Sequence, residues 1–200
     1  MNSNGSMTNI TDRISVLELA NSKFPEGLFV EIGAASGAFT KQILATCQKV
    51  KVVAIDLWAH QDNGYEDPCN LSQETQEERY RQIQEDFKNE PRVTLVREWS
   101  HIAATHYVDA IHSTGAIDLI YLDANHSYEA VKQDLEAWLP KLKSGGIFAG
   151  HDYADEVKRA VDDFCVEHDI IVFATTQEYS RAEAIYGPSW EGKSFYFIKP

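Results

Sequence analysis

Apolar residues in this chain gather into short blocks, separated by stretches whose apolar positions recur at helical spacing. Leu28 to Ile32 is apolar except at Glu31 and stops at Gly33. The turn there opens into Ala38-Phe39-Thr40-Lys41-Gln42-Ile43-Leu44, which reads as a helix, and the next apolar run, Val52 to Ile55, ends in Asp56. Further runs at Val93–Val96, Ile117–Leu122, Ile147–Ala149, Ile170–Ala174 and Ser194–Ile198 read as strands. Ile14, Leu17, Leu19 and Ala20 predict a short N-terminal helix. Tyr128, Val131, Leu135, Trp138, Leu139 and Leu142 predict another, stopped by Ser144-Gly145-Gly146. Val157, Ala160, Val161 and Phe164 mark a third. Strands alternating with helices predict an α/β fold with a doubly wound, mostly parallel sheet. The last two strands have no helical pattern between them and are expected to be antiparallel neighbours. No repeat or linker divides the chain, so 1–200 reads as one domain, with 1–23 as an N-terminal extension carrying the short helix.

Composition narrows the class. The 200 residues are 44% hydrophobic and 24% charged, as in globular rather than disordered chains. A formal net charge of −13 disfavours nucleic acid as a partner, because such binders carry a basic face. Cys47, Cys69 and Cys165 are scattered, without a C-x-x-C pair, and read as reduced thiols of a cytoplasmic protein. Met1 to Met7 has neither the basic nor the apolar region of a secretory leader. No apolar run approaches the ~18 residues of a membrane span.

The first strand, turn, helix and second strand suit a nucleoside ligand. Gly33 and Gly37 permit a tight turn, helix-start N–H groups hold an anion, and Asp56 can accept from ribose hydroxyls. The nicotinamide form of such a turn is G-x-G-x-x-G. Here Ala35 and Ala38 stand at its second and third glycines, and Glu31 precedes the first. The pattern E-x-G-x-x-x-G, with an acid ending the next strand, instead resembles motifs I and II of the class I S-adenosylmethionine-dependent methyltransferases. That resemblance implies a Rossmann-like seven-stranded sheet with an antiparallel C-terminal strand. It also implies that Glu31 helps hold the ligand's ammonium. Gly33, Ala35, Ser36 and Gly37 would hold its carboxylate end, and Asp56 with the adjoining Leu57 its ribose.

In a doubly wound sheet, ligands lie beyond the carboxyl ends of the strands. There the chain places Asp123-Ala124-Asn125-His126-Ser127-Tyr128 and, later, Gly150-His151-Asp152-Tyr153. These segments resemble a small bacterial class I methyltransferase family with D-A-x-H-x-Y and G-H-D-Y segments, related to macrocin-type sugar O-methyltransferases. The resemblance runs from about Gly27 to Phe164. It implies a divalent ion, Mg²⁺ or Mn²⁺, on Asp123, His151 and Asp152, aiming an acceptor hydroxyl at the methyl group, with catalytic roles for Asp123 and His126 and a place for Asp123 among the cofactor-binding residues. Macrocin-type relatives carry an acid where this chain has His151, and imidazole favours Mn²⁺ or other transition ions. The alternative for Asp123 and Asp152 is helix N-capping. His126 is the candidate general base. Trp99 and Ser100, just past the third strand, fall where relatives contact adenine.

Two polar segments remain. Trp58 to Arg79, with Asp62, Glu66, Asp67, Glu74, Glu77 and Glu78, lies over the mouth of this site and reads as a substrate-shaping wall. Gln177 to Gly192, with Tyr179, Arg181, Tyr186 and Trp190, suits a second wall or a contact between copies in a homo-oligomer. The expectation is S-adenosylmethionine-dependent O-methylation of a small hydroxylated acceptor, sugar or natural-product-like. The alternatives are an NAD-dependent oxidoreductase and a methyltransferase-like binding protein without catalysis.

Overall fold

The computed structural model describes residues 10–62, 65–111, 116–176 and 193–200. Among them the order is α1(Arg13–Lys23), β1(Leu28–Ile32), α2(Ala38–Thr46), β2(Lys51–Asp56), α3(Gln73–Phe87), β3(Val93–Arg97), α4(Ser100–Ile111), β4(Ile117–Leu122), α5(Tyr128–Trp138), β5(Leu142–Gly150), α6(Asp155–Glu167), β6(Phe173–Ala174) and β7(Phe195–Ile198). The sheet runs β3-β2-β1-β4-β5-β7-β6; β7 pairs antiparallel with both β5 and β6, and the rest is parallel. This is the expected doubly wound α/β fold with antiparallel terminal strands.

The central strands are buried on both faces, which is why they read as unbroken apolar runs. Val30, Ile32, Ile55, Ile120, Leu122 and Phe148 pack against Leu135, Trp138, Val161 and Phe164 of α5 and α6. Phe29, Val52, Leu119, Tyr121 and Ile147 pack on the other face against Leu17, Ala20, Phe39 and Ile43 of α1 and α2. α3 is laid over β2 by Ile83 and Phe87, which meet Ala54 and the fully buried Trp58. Asp12 starts α1 with a reciprocal cap: its carboxylate accepts the Ser15 amide at 2.8 Å, and Ser15 Oγ accepts the Asp12 amide at 3.0 Å.

Three boundaries differ from expectation. α5 ends at Trp138, where Pro140 turns the chain into a short 3₁₀ helix (Leu139–Lys141). Leu142 therefore belongs to β5, and Ser144-Gly145-Gly146 lies inside that strand instead of ending a helix. β6 is confined to Phe173–Ala174, shorter than the predicted Ile170–Ala174. Residues 1–9 and the 177–192 segment lie outside the described residues. No described helix is long and apolar enough to cross a membrane.

Candidate active site

Register brings the strand ends together: Ile32 lies opposite both Ile55 and Leu122, and Leu122 opposite Gly150. The turns after β1, β2, β4 and β5 therefore share one edge. They are laced by backbone bonds from Gly33 N to Ile55 O (2.8 Å), Asp123 N to Ile32 O (2.8 Å) and His151 N to Leu122 O (3.0 Å).

Beyond that edge opens a cleft of about 780 Å³. On its wall Asp56 is held by backbone amides: Ala35 N–H donates to Oδ2 at 2.9 Å and Trp58 N–H to Oδ1 at 2.7 Å, and the Leu57 amide also donates to this carboxylate. Burial raises the Asp56 carboxyl above its ordinary range, opposed by those amides. Trp58 Nε1 donates to the Ala35 carbonyl at 2.8 Å, fixing the turn that holds Ala35 at φ 43°. Gly33, Ala35, Asp56 and Leu57 line the cleft, joined by Trp99 and Ser100 from the β3–α4 junction. Trp99 is half-exposed, whereas Ser100 Oγ accepts the Trp138 indole N–H at 2.8 Å and contacts the buried Asp134. That leaves Ser100 tied to α5.

Glu31, Ser36 and Gly37 are not on the cleft wall. Glu31 is buried behind the turn and accepts the Thr40 hydroxyl; desolvation pushes its carboxyl up to about 8. Gly37 takes φ 74° at the start of α2, and a side chain there would meet Ile83 and Phe87 of α3. Its glycine serves packing between helices.

Asp123 and His126 line the same cleft. His126 Nε2 lies 3.7 Å from Asp123 Oδ1 and 3.5 Å from Asp152 Oδ2, while Nδ1 lies 3.3 Å from Asp67 Oδ2. The Asp123 carboxylate, with Asp152 and Asp67 behind it, raises the His126 pKa against the opposing effect of burial. His151 is buried, with Nδ1 at 3.1 Å from Asp152 Oδ1 and 3.7 Å from Asp123 Oδ1. Burial lowers its pKa, but these two acids more than offset that. Capping does not account for the acids: Ser127 and Ala154 occupy the N-cap positions of α5 and α6. Asp152 is held at φ 46°, a conformation costly for any residue but glycine.

One ligand atom from each of Asp123, His126 and Asp152 falls within 4.8 Å of the others, a spacing that can hold a metal ion. His126 thus joins the two acids in the place expected for His151. His126 Nε2 and His151 Nε2 are both buried without a hydrogen-bond partner. Asp67 and Arg79, from the segment after β2, also line the cleft. The sequence placed that segment over the mouth but gave no sign of which acid faces inward.

Residues 30–153 match the family of the methyltransferase domain. No curated protein matches the chain. Among solved structures, the O-methyltransferase NovP is 17% identical, with 94% of this chain and 79% of that one covered at a TM-score of 0.63. An S-adenosylmethionine-dependent O-methyltransferase from Thermotoga maritima is 12% identical, covering 94% and 64%, at 0.62. An rRNA methylase from Streptococcus thermophilus is 18% identical, covering 95% and 98%, at 0.58. At such identities the likeness is one of fold.

Proposed function

The chain belongs to the methyltransferase-domain family, and we propose that it is an S-adenosylmethionine-dependent O-methyltransferase for a small hydroxylated acceptor, assisted by a divalent cation. The observation that carries this reading is one cleft lined both by Gly33 and Asp56, at the carboxyl ends of β1 and β2, and by Asp123 and His126, from the turn after β4. Its volume suits a nucleoside-sized ligand and a small acceptor together.

The donor groups fit both ligands. Asp56 presents a carboxylate on the cleft wall that can accept from a ribose hydroxyl, and Trp99 offers an exposed ring face to a base. At the proposed cation site, two carboxylates and an unpartnered imidazole nitrogen suit Mn²⁺ at least as well as Mg²⁺. When bound, S-adenosylmethionine supplies an electrophilic methyl and the cation lowers the pKa of an acceptor hydroxyl. Asp123 and Asp152 orient the acceptor. His126 Nε2 is either the third cation donor or the atom that takes the hydroxyl proton.

Calorimetry with S-adenosylhomocysteine tests the assignment. The wild type should bind it in preference to NAD, and Asp56→Ala should weaken binding about ten- to a hundredfold, the loss of ~1.5–3 kcal/mol of charge-assisted contact. Unchanged affinity in a folded Asp56→Ala protein, or preference for NAD, sinks it.

A further inference from the structure

The chain between β2 and α3 is cross-linked to itself. The Asn70 side chain donates to the carbonyls of Gln61 (2.9 Å) and Tyr65 (2.8 Å) and accepts the Gln61 amide at 2.9 Å. Gln76 of α3 donates to the Cys69 carbonyl at 3.0 Å. At the base, Arg97 donates to the carbonyls of Leu57 (3.3 Å) and Trp58 (2.8 Å) and pairs with Glu77 of α3.

From this frame Asp67 reaches His126. Its Oδ1 accepts the Cys69 amide at 2.6 Å, the Tyr65 hydroxyl also hydrogen-bonds this carboxylate, and Oδ2 lies 3.3 Å from His126 Nδ1. A neutral imidazole carries one N–H, and the acceptor opposite each nitrogen decides which one bears it. Asp67 competes with Asp123 and Asp152, which lie farther off, at 3.7 and 3.5 Å from Nε2. Its side chain is 12% exposed, against 28% and 34% for theirs.

We propose that Asp67 is a positioning residue: it holds the proton of His126 on Nδ1, so that Nε2 turns its lone pair toward the space between Asp123 and Asp152. The tautomer belongs to the free protein; only the use made of that lone pair rests on the proposed function. In this arrangement the segment after β2 sets the chemistry of a residue after β4, as an outer carboxylate fixes an imidazole in many metal and acid–base sites.

Two-bond ¹H–¹⁵N correlation spectra, recorded above the titration of the imidazole, distinguish the tautomers directly. Wild-type His126 should carry its proton on Nδ1. Asp67→Asn should invert this. The Asn carbonyl is retained by the Cys69 amide, so its NH₂ faces Nδ1, which must then accept and leave the proton on Nε2. Asp67→Ala should likewise move the proton toward Nε2, the form an unrestrained imidazole favours. A wild-type His126 protonated on Nε2, or an Asp67→Asn protein with a native amide spectrum and an unchanged tautomer, overturns the proposal. Calorimetry with S-adenosylhomocysteine on the same samples separates the two readings. A missing switch in a protein that binds it overturns the positioning role alone. A switch in a protein that does not bind it upholds that role and counts against the proposed function.

Discussion

Buried, and with the charges of Asp123 and Asp56 nearby, the Glu31 carboxyl takes its proton far above the ordinary carboxylate range. Desolvation is the largest cause of its rise from 4.5 to about 8, and the Thr40 hydroxyl opposes it. Below about 4.5 the group is protonated whether folded or not. Between there and about 8 the unfolded chain gives up a proton that the folded one keeps, so stability falls as pH rises, and above 8 it levels off. Glu31→Gln, whose carbonyl still accepts from Thr40, should erase that slope and gain up to ~5 kcal/mol at high pH, taking ~1.4 kcal/mol per pKa unit. Urea midpoints of both proteins from pH 4 to pH 9 check this, and parallel curves would falsify the assignment. The sequence showed that an acid precedes Gly33, but its lack of water is a property of packing. The glycines were legible as positive-φ turns, and Gly33 and Gly37 adopt φ 94° and 74°. Their partners were not: a Cβ on Gly33 would overlap the Asp123 carbonyl, which lies far along the chain.

Among the elements, strands were easier to read than helices. Parallel strands buried on both faces announce themselves as apolar runs, while α3 buries only Gln76, Ile83 and Phe87 among polar residues. Its stripe is too narrow to register, so the segment read as a polar insertion. α4 escaped notice too: its fully buried side chains include Ala103 and Ala104, which give weak periodicity. A test of α3 docking lies at Gly37. Gly37→Ala would set a Cβ 2.9 Å from Ile83 Cδ1 and from Phe87 Cε2, on a backbone at φ 74°. It should cost about 1–2 kcal/mol, read as a lower urea midpoint. An unchanged midpoint would mean that α3 moves aside freely.

On the scale of the whole molecule, the doubly wound sheet accounts for where the cleft lies: strand ends in register deliver four turns to one edge. That placement was readable from the alternation of strands and helices. The approach of Asp67 to His126 was not, because it depends on how a loop closes. If Asp123 and Asp152 hold a cation, EDTA should abolish methyl transfer and Mn²⁺ or Mg²⁺ restore it. S-adenosylhomocysteine affinity should stay within about twofold, since Asp56 is not among the three residues grouped to hold the ion, and Asp152→Ala should mimic the chelator. Turnover that survives exhaustive chelation removes the cation and leaves proton removal to His126. The cross-linking of the chain from Gln61 to Gln76 has a consequence for redesign. Much of its hydrogen bonding is internal, and Arg97 anchors its base, so it resembles a cartridge seated in a socket. Exchanging that cartridge would re-aim the acceptor site while leaving the Gly33–Asp56 grip intact, whereas the interlocked Gly33 and Asp123 allow no such exchange.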